Sequence, residues 1–365
     1  MAFSSIRYAS FRNLEDGAVD TGAAAVFLVG ENGQGKSNFL DAVYTLCYGA
    51  SFRGGGDAEA ARLGEKAWSL DGEAYDPAEG PGGVQAASFS VRWEGGAKSL
   101  REGGKAIPDR KRLVERNPAV VFCHGDMEFA RGEPERRRFF FDQTAGLVSL
   151  GYIDALRSYR RVLKARNAAL KERMAKVLDV LDIQLAQYGL ALVEERGRLA
   201  TAFDAVFAPR YEAVARLGER VGLSYRPSWR EERDLHEVIA RLSSSREREL
   251  ALGTSMSGPH RDRYVFCDAY GDFSERASTG QLRLMALTLR IAQAEHYTAM
   301  SGRAPLLLLD DVLLELDPER RRRFMENLPA GEQSFFTFLP GEPYGDYRRS
   351  DTLVYWTEHG RFTHT

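Results

Sequence analysis

Apolar and polar residues alternate with a period of two in "SIRYASF" at 5–11 and "ASFSVRWEG" at 87–95. That period predicts strands with one buried face. "AVFLV" at 25–29 and "AVVFC" at 119–123 are short continuous apolar runs, predicting fully buried strands. Glycine clusters at 54–56, 80–83 and 103–104 punctuate this region as hairpin loops do. From about 134 to 250 the period changes. Ile153, Leu156, Leu163, Leu170, Met174, Val177 and Leu181 follow an alternating three–four spacing, with Arg160 and Asn167 in the same seam. This predicts one heptad-like stripe and a short coiled coil or antiparallel helix pair. Leu185, Leu192, Leu199, Phe203 and Val206 predict the returning helix. After about 255 the α/β texture resumes: "RYVFCDAY", a helix from about 280, "PLLLLD", a further helix, "SFFTF" and "TLVYW". The expected organisation is an α/β lobe built from 1–130 and 252–365, interrupted by a helical lobe at 131–251.

Composition narrows this little. The chain has 365 residues, 44% of them hydrophobic and 28% charged, with a formal net charge of −2. A uniformly basic nucleic-acid protein is thereby excluded, although only eight of the 50 basic residues are Lys. Arginine suits bidentate phosphate contacts, so local basic faces remain open. The apolar runs are too short to span a bilayer, and the start lacks the pattern of a signal peptide. Cys47, Cys123 and Cys267 form neither a disulfide framework nor a CxxC site. A reducing cytoplasm is expected.

Chemistry enters with "GENGQGKSN" at 30–38. Gly30, Gly35, Lys36 and Ser37 fit G-x-x-x-x-G-K-[ST], between a predicted strand and an amphipathic helix. Backbone N–H groups of Glu31, Asn32, Gly33 and Gln34 can wrap a phosphate there, with Asn38 in the first helical turn. Lys36 brings a positive charge to the β- and γ-phosphates, and the Ser37 hydroxyl can ligate Mg²⁺. Downstream, "PLLLLDD" predicts a buried strand beside the phosphate-loop strand, delivering Asp310 to that ion. Asp311 is then placed to polarise an attacking water. In "STGQLR" a helix begins. Ser278 is either a simple N-cap or, with Gly280 and Gln281, part of a γ-phosphate contact.

Taken in order, these motifs describe the head of an ATP-binding-cassette ATPase. With "YASFRN", "FCHGDMEFARGEPERRRFFFD" and "SGPHRDRY", the chain resembles the RecF family of DNA-repair ATPases over nearly its whole length. The resemblance implies an α/β head with an inserted helical lobe holding a short hairpin, and no long coiled-coil arm. It implies that Gly30 to Ser37 hold ATP while Ser278, Gly280 and Gln281 of a second copy reach its γ-phosphate. Arg12 and Asn13 would approach the nucleotide, and 315–317 would line the dimer seam. Asp311 stands where many cassette ATPases carry Glu, so a weak ATPase is expected. "CHG" at 123–125 replaces the family's usual residues before Asp126.

The partners implied are duplex DNA or its junction with a single-stranded gap, RecR, and indirectly RecO and RecA; no membrane is implied. Arg136, Arg137, Arg138, Arg160 and Arg161 are candidate DNA contacts, and 320–323 is another basic cluster, each equally readable as a solvated helix face. A transporter ATPase, an SMC-like bridging head and a small-molecule kinase are the rival readings.

Overall fold

The computed structural model describes residues 2–76, 85–314 and 316–365. The glycines at 80–83 and Glu315 lie outside the described residues. Contacts divide the chain into Met1–Gly125 with Tyr297–Thr365, and Asp126–His296.

In the first unit, strands β1 (Ala2–Ala9), β2 (Gly17–Asp20), β3 (Ala25–Val29), helix α1 (Lys36–Tyr48), β4 (Ala67–Tyr75), β5 (Gln85–Glu94), β6 (Ala97–Glu102), β7 (Lys105–Ala106), α2 (Lys111–Arg116) and β8 (Ala119–Phe122) precede the other unit. Its remaining elements are numbered after that unit's. Six strands in the order β2-β1-β4-β5-β6-β7 form an antiparallel sheet. The predicted alternation is visible in β1, which buries Ile6 and Tyr8 and exposes Arg7 between them.

The second unit holds α3 (Met127–Arg131), α4 (Pro134–Val148), α5 (Leu150–Lys171), α6 (Ala175–Ala215), β9 (Gly222–Arg226), α7 (Leu235–Leu252), β10 (Arg263–Asp268), β11 (Gly271–Asp272) and most of α8 (Thr279–Ser301). The predicted single stripe over 153–181 is broken. Residues 172–174 form a turn, with Arg173 in the left-handed region at φ 56°. Consequently Met174 and Val177 are exposed; α5 buries Leu170 of the stripe, but also Tyr152, Tyr159, Val162, Arg166 and Ala169, which lie off it. The hairpin itself forms: Leu185, Leu192, Leu199 and Phe203 are buried on α6, which runs antiparallel to α5.

Two buried arginines fasten this hairpin. Arg166 of α5 donates to Asp182 of α6 at 2.6 Å and pairs with Glu249 of α7 at 2.7 Å. Arg196 of α6 reaches Asp142 and Asp262, each at 2.8 Å, and the Pro259 carbonyl at 2.7 Å. The segment 257–264 is thus an internal anchor. Trp229 Nε1 donates to Ser257, Tyr225 donates to Asp262, and His260 Nδ1 lies 2.7 Å from the Tyr159 hydroxyl. Burial among these groups pushes the His260 pKa down to about 4. The expected return to the α/β lobe at 252 also shifts, because β10 pairs with β9 across the helix that separates them.

Back in the first unit, β12 (Leu306–Leu309), α9 (Pro318–Asn327), β13 (Ser334–Phe338), β14 (Thr352–Glu358) and β15 (Arg361–His364) complete a second sheet in the order β15-β14-β3-β13-β12-β8. All of its pairings are parallel except β14 with β15. One core joins both sheets through α1, whose Phe39, Leu40, Val43 and Leu46 are fully buried among Phe3, Tyr8, Leu28 and Phe335. Each such side chain contributes roughly 1.5–3 kcal/mol by leaving water. No helix among the described residues is long and apolar enough to cross a membrane.

Candidate functional site

The loop between β3 and α1 takes its shape from its glycines. Gly33 and Gly35 have φ of 79° and 114°, conformations that side chains resist. Gly30 is required for another reason, since a Cβ there would lie 2.3 Å from the Thr357 carbonyl oxygen of β14. The β14–β15 turn also braces the loop. Gly360 N–H donates to the Gln34 carbonyl at 2.8 Å, and His359 N–H donates to Gln34 Oε1 at 2.7 Å. This C-terminal brace went unnoticed in the sequence, where only a Gly following the last apolar strand marked it.

Within the loop, Glu31, Asn32 and Gly33 are exposed while Lys36 is only 3% exposed. The Lys36 ammonium donates to the Gly30 and Glu31 carbonyls at 2.7 and 2.9 Å, closing the loop on itself. Burial pushes its pKa down, against the pull of Asp311, Asp310 and Glu31. An anion seated in the cradle would relieve that penalty.

Opposite stands the carboxylate pair. Ser37 Oγ donates to Asp310 Oδ1 at 2.6 Å. The strand carrying Asp310 is not the neighbour of β3, as the sequence had suggested; β13 lies between them. That intervening strand carries Thr337 as its penultimate residue, whose hydroxyl lies 2.9 Å from Asp311 Oδ1 and 3.4 Å from Asp310 Oδ1. Thr337 Oγ1 also accepts from the Asp311 N–H at 2.8 Å. This bond holds Asp311 at φ 50°, an uncommon conformation for a non-glycine residue. Burial pushes the Asp310 pKa up to about 6, with Asp311 adding repulsion. The serine and aspartate oxygens form a hard, oxygen-only donor set suited to Mg²⁺.

Beside the loop opens a cavity of about 470 Å³, lined among others by Arg12, Asn13, Asn38, Arg53 and Leu63. Its volume suits a small ligand. The guanidinium of Arg12 is already committed: it donates to buried Asp41 at 2.9 Å, to Ser51 and to the Glu59 carbonyl, each at 3.1 Å. Asn13 donates to the Gly33 carbonyl at 2.9 Å and accepts from Asn38 at 2.6 Å. Asn13 therefore supports the loop from the cavity wall, while Arg12 ties its own segment to α1 and the stretch that follows it. Arg53, which donates to Asn38, was missed because it follows α1 in an irregular glycine-rich stretch.

Ser278, Gly280 and Gln281 belong to the second unit, at the start of α8. Ser278 Oγ accepts from the Gln281 N–H at 3.3 Å, while Gln281 Oε1 accepts from the Ser278 N–H at 2.8 Å. This is a reciprocal capping box. Ser278 remains exposed, with its hydroxyl proton free to donate. Further along, Arg290 of α8 donates to buried Asp126 at 2.7 Å. Asp126 therefore serves to tie its loop to α8.

The candidate DNA contacts divide. Arg137 donates to the Tyr264 and Ala130 carbonyls, and Arg138 to the Asp262 carbonyl, so both point into their own unit. Arg136, Arg160 and Arg161 are exposed. Every arginine of 320–323 has a carboxylate partner.

A family model described as "AAA domain, putative AbiEii toxin, Type IV TA system" matches residues 25–335. The "DNA replication and repair protein RecF" of Treponema pallidum (strain Nichols) is 40% identical over 351 residues, covering 96% of this chain and 98% of that one. The chain belongs to the RecF family. Its fold agrees. A solved structure of the recombination mediator protein RecF with ATP superposes with a TM-score of 0.87 at 24% identity, covering 100% and 97% of the two chains. An Smc head bound to a domain of ScpA superposes at 0.59 with 14% identity, covering 100% and 98%. The architecture is therefore that of an ABC-type ATPase head, and the family's role is DNA replication and repair.

Proposed function

We propose that this RecF-family chain is an ATP-operated DNA clamp. ATP lies in the Gly30–Ser37 cradle, with Lys36 leaving its carbonyls to meet the β- and γ-phosphates. Ser37 and Asp310 hold Mg²⁺, which supplies charge neutralisation at those phosphates. A second copy presents Ser278, Gly280 and Gln281 to the γ-phosphate, so two ATP molecules join two protomers. The dimer closes on duplex DNA or on a gap junction, with little sequence preference, and works in the cytoplasm with RecR, RecO and RecA to load recombinase. The 2.6 Å contact between Ser37 and Asp310, set inside a glycine cradle, is the observation that carries this reading.

Hydrolysis is slow because Asp311 is one methylene shorter than Glu and is held by Thr337. Turnover of hundreds per second would contradict the switch.

Sedimentation with ATP tests the assembly, using wild type, Lys36→Met and Ser278→Arg, with and without gapped DNA. Only wild type should dimerise. A Ser278→Arg protein that still dimerises on ATP would remove the shared site.

A further inference from the structure

The outward face of α5 carries a row of cations. Arg157, Arg160, Arg161, Lys164 and Lys171 are all exposed, and their spacing places them within about a third of the helix circumference. At about 1.5 Å per residue, the steps from Arg157 to Lys171 span about 21 Å. Asp154 and Glu172 flank this face at its two ends, Asp154 lying 4.0 Å from Arg157. Arg160 leans on Asp142 at 3.4 Å, but that carboxylate already belongs to Arg196 at 2.8 Å. Among the described residues no carboxylate pairs with Arg161, Lys164 or Lys171. Some exposed arginines are neutralised locally, as Arg198 is by Glu194 and Glu195, and Arg322 by Glu326. Ala165 and Ala168 stand exposed among the cations and leave them unobstructed.

A helix C-terminus favours Lys171 through its dipole, so that residue has a local explanation. Arg161 and Lys164, in the middle of α5, have none. Holding unpaired like charges side by side on a helix is unfavourable, and a polyanion is the partner that turns this arrangement to advantage.

We propose that this face of α5 is the surface on which the phosphate backbone of duplex DNA is seated, with Arg161 and Lys164 as its central contacts. The proposal rests on the DNA-clamp reading above and names its surface. Duplex DNA offers one charge per about 1.7 Å of axis, so a 21 Å row of cations meets several phosphates. The face carries no Asn or Gln to read base edges, so it positions DNA without selecting sequence.

The test is equilibrium binding of a short mixed-sequence duplex with ATP and Mg²⁺ across a salt series. Wild type is compared with Arg161→Ala/Lys164→Ala, Arg161→Lys/Lys164→Arg and the control Arg198→Ala/Arg322→Ala. The double alanine variant should lose tenfold or more in affinity, and its slope of log K against log salt should shrink by about 2, near 0.9 per cation removed. The charge-preserving swap and the control should bind as wild type. All four proteins should keep their ATP-dependent sedimentation, which separates a lost surface from a lost fold. A double alanine variant with unchanged affinity and slope overturns the assignment. If wild type itself fails to bind duplex DNA, the clamp reading falls as well.

Discussion

At the residue scale, the site stores two electrostatic penalties that ligands relieve. Lys36 is buried with its ammonium hydrogen-bonded to carbonyls and its charge disfavoured by burial, so Lys36→Met should fold at least as well as wild type. ATP with Mg²⁺ should raise the melting temperature of wild type but not of that variant, as followed by scanning calorimetry. Asp310 carries the second penalty. Its folded pKa of about 6 lies above the ordinary value of 3.8, so the folded chain binds the extra proton between those values. Stability therefore falls as pH rises through that window. In ligand-free protein, Asp310→Asn should be the more stable above pH ~6, by up to about 3 kcal/mol, and the advantage should vanish toward pH ~4. Denaturant titrations at several pH values check this. With ATP and Mg²⁺ the order should reverse, because the asparagine lacks the charge the metal needs.

At the element scale, the two long helices show what local sequence specifies and what it leaves to packing. Gly189 sits mid-way along the 41-residue α6, where glycine costs about 1 kcal/mol relative to alanine. Propensity alone would favour Gly189→Ala. Yet a Cβ there would lie 2.4 Å from Trp229 Cζ3 and 3.3 Å from Tyr159. The variant should lose roughly 1–3 kcal/mol net, read from urea unfolding. Ser278→Ala should cost about 1 kcal/mol by removing half of the capping box on α8, and thermal melts would show it.

The phosphate loop, the α8 cap and the strand at 306–309 were legible because each depends on neighbours a few residues away. The turn at 172–174 was not, because Arg173 adopts a left-handed conformation with no glycine to announce it. Nor could periodicity reveal that β13 separates β3 from β12, since strand order is decided by tertiary packing. Arg137 and Arg138 misled in the same way. Their charge suggested solvent, while their partners are carbonyls remote in sequence.

At the scale of the whole molecule, a net charge of −2 conceals how the charge is distributed. Most arginines are spent on carboxylates or carbonyls inside the unit that carries them, whereas among the described residues Arg161 and Lys164 of α5 have no carboxylate partner. A clamp operated by ATP makes a reciprocal demand on such a protein. If ATP-driven dimerisation raises affinity for DNA by some factor, linkage requires DNA to tighten ATP-driven dimerisation by the same factor. A short duplex should therefore lower the ATP concentration needed for half-maximal dimer, as followed by sedimentation with Asp311→Asn to suppress hydrolysis. The shift should weaken as salt rises, because phosphate contacts release counterions. It should also shrink in Arg161→Ala/Lys164→Ala while ATP alone still drives that variant to dimerise. An ATP midpoint that ignores DNA would mean that the nucleotide and the DNA act on separate equilibria, and the clamp would then lack its switch.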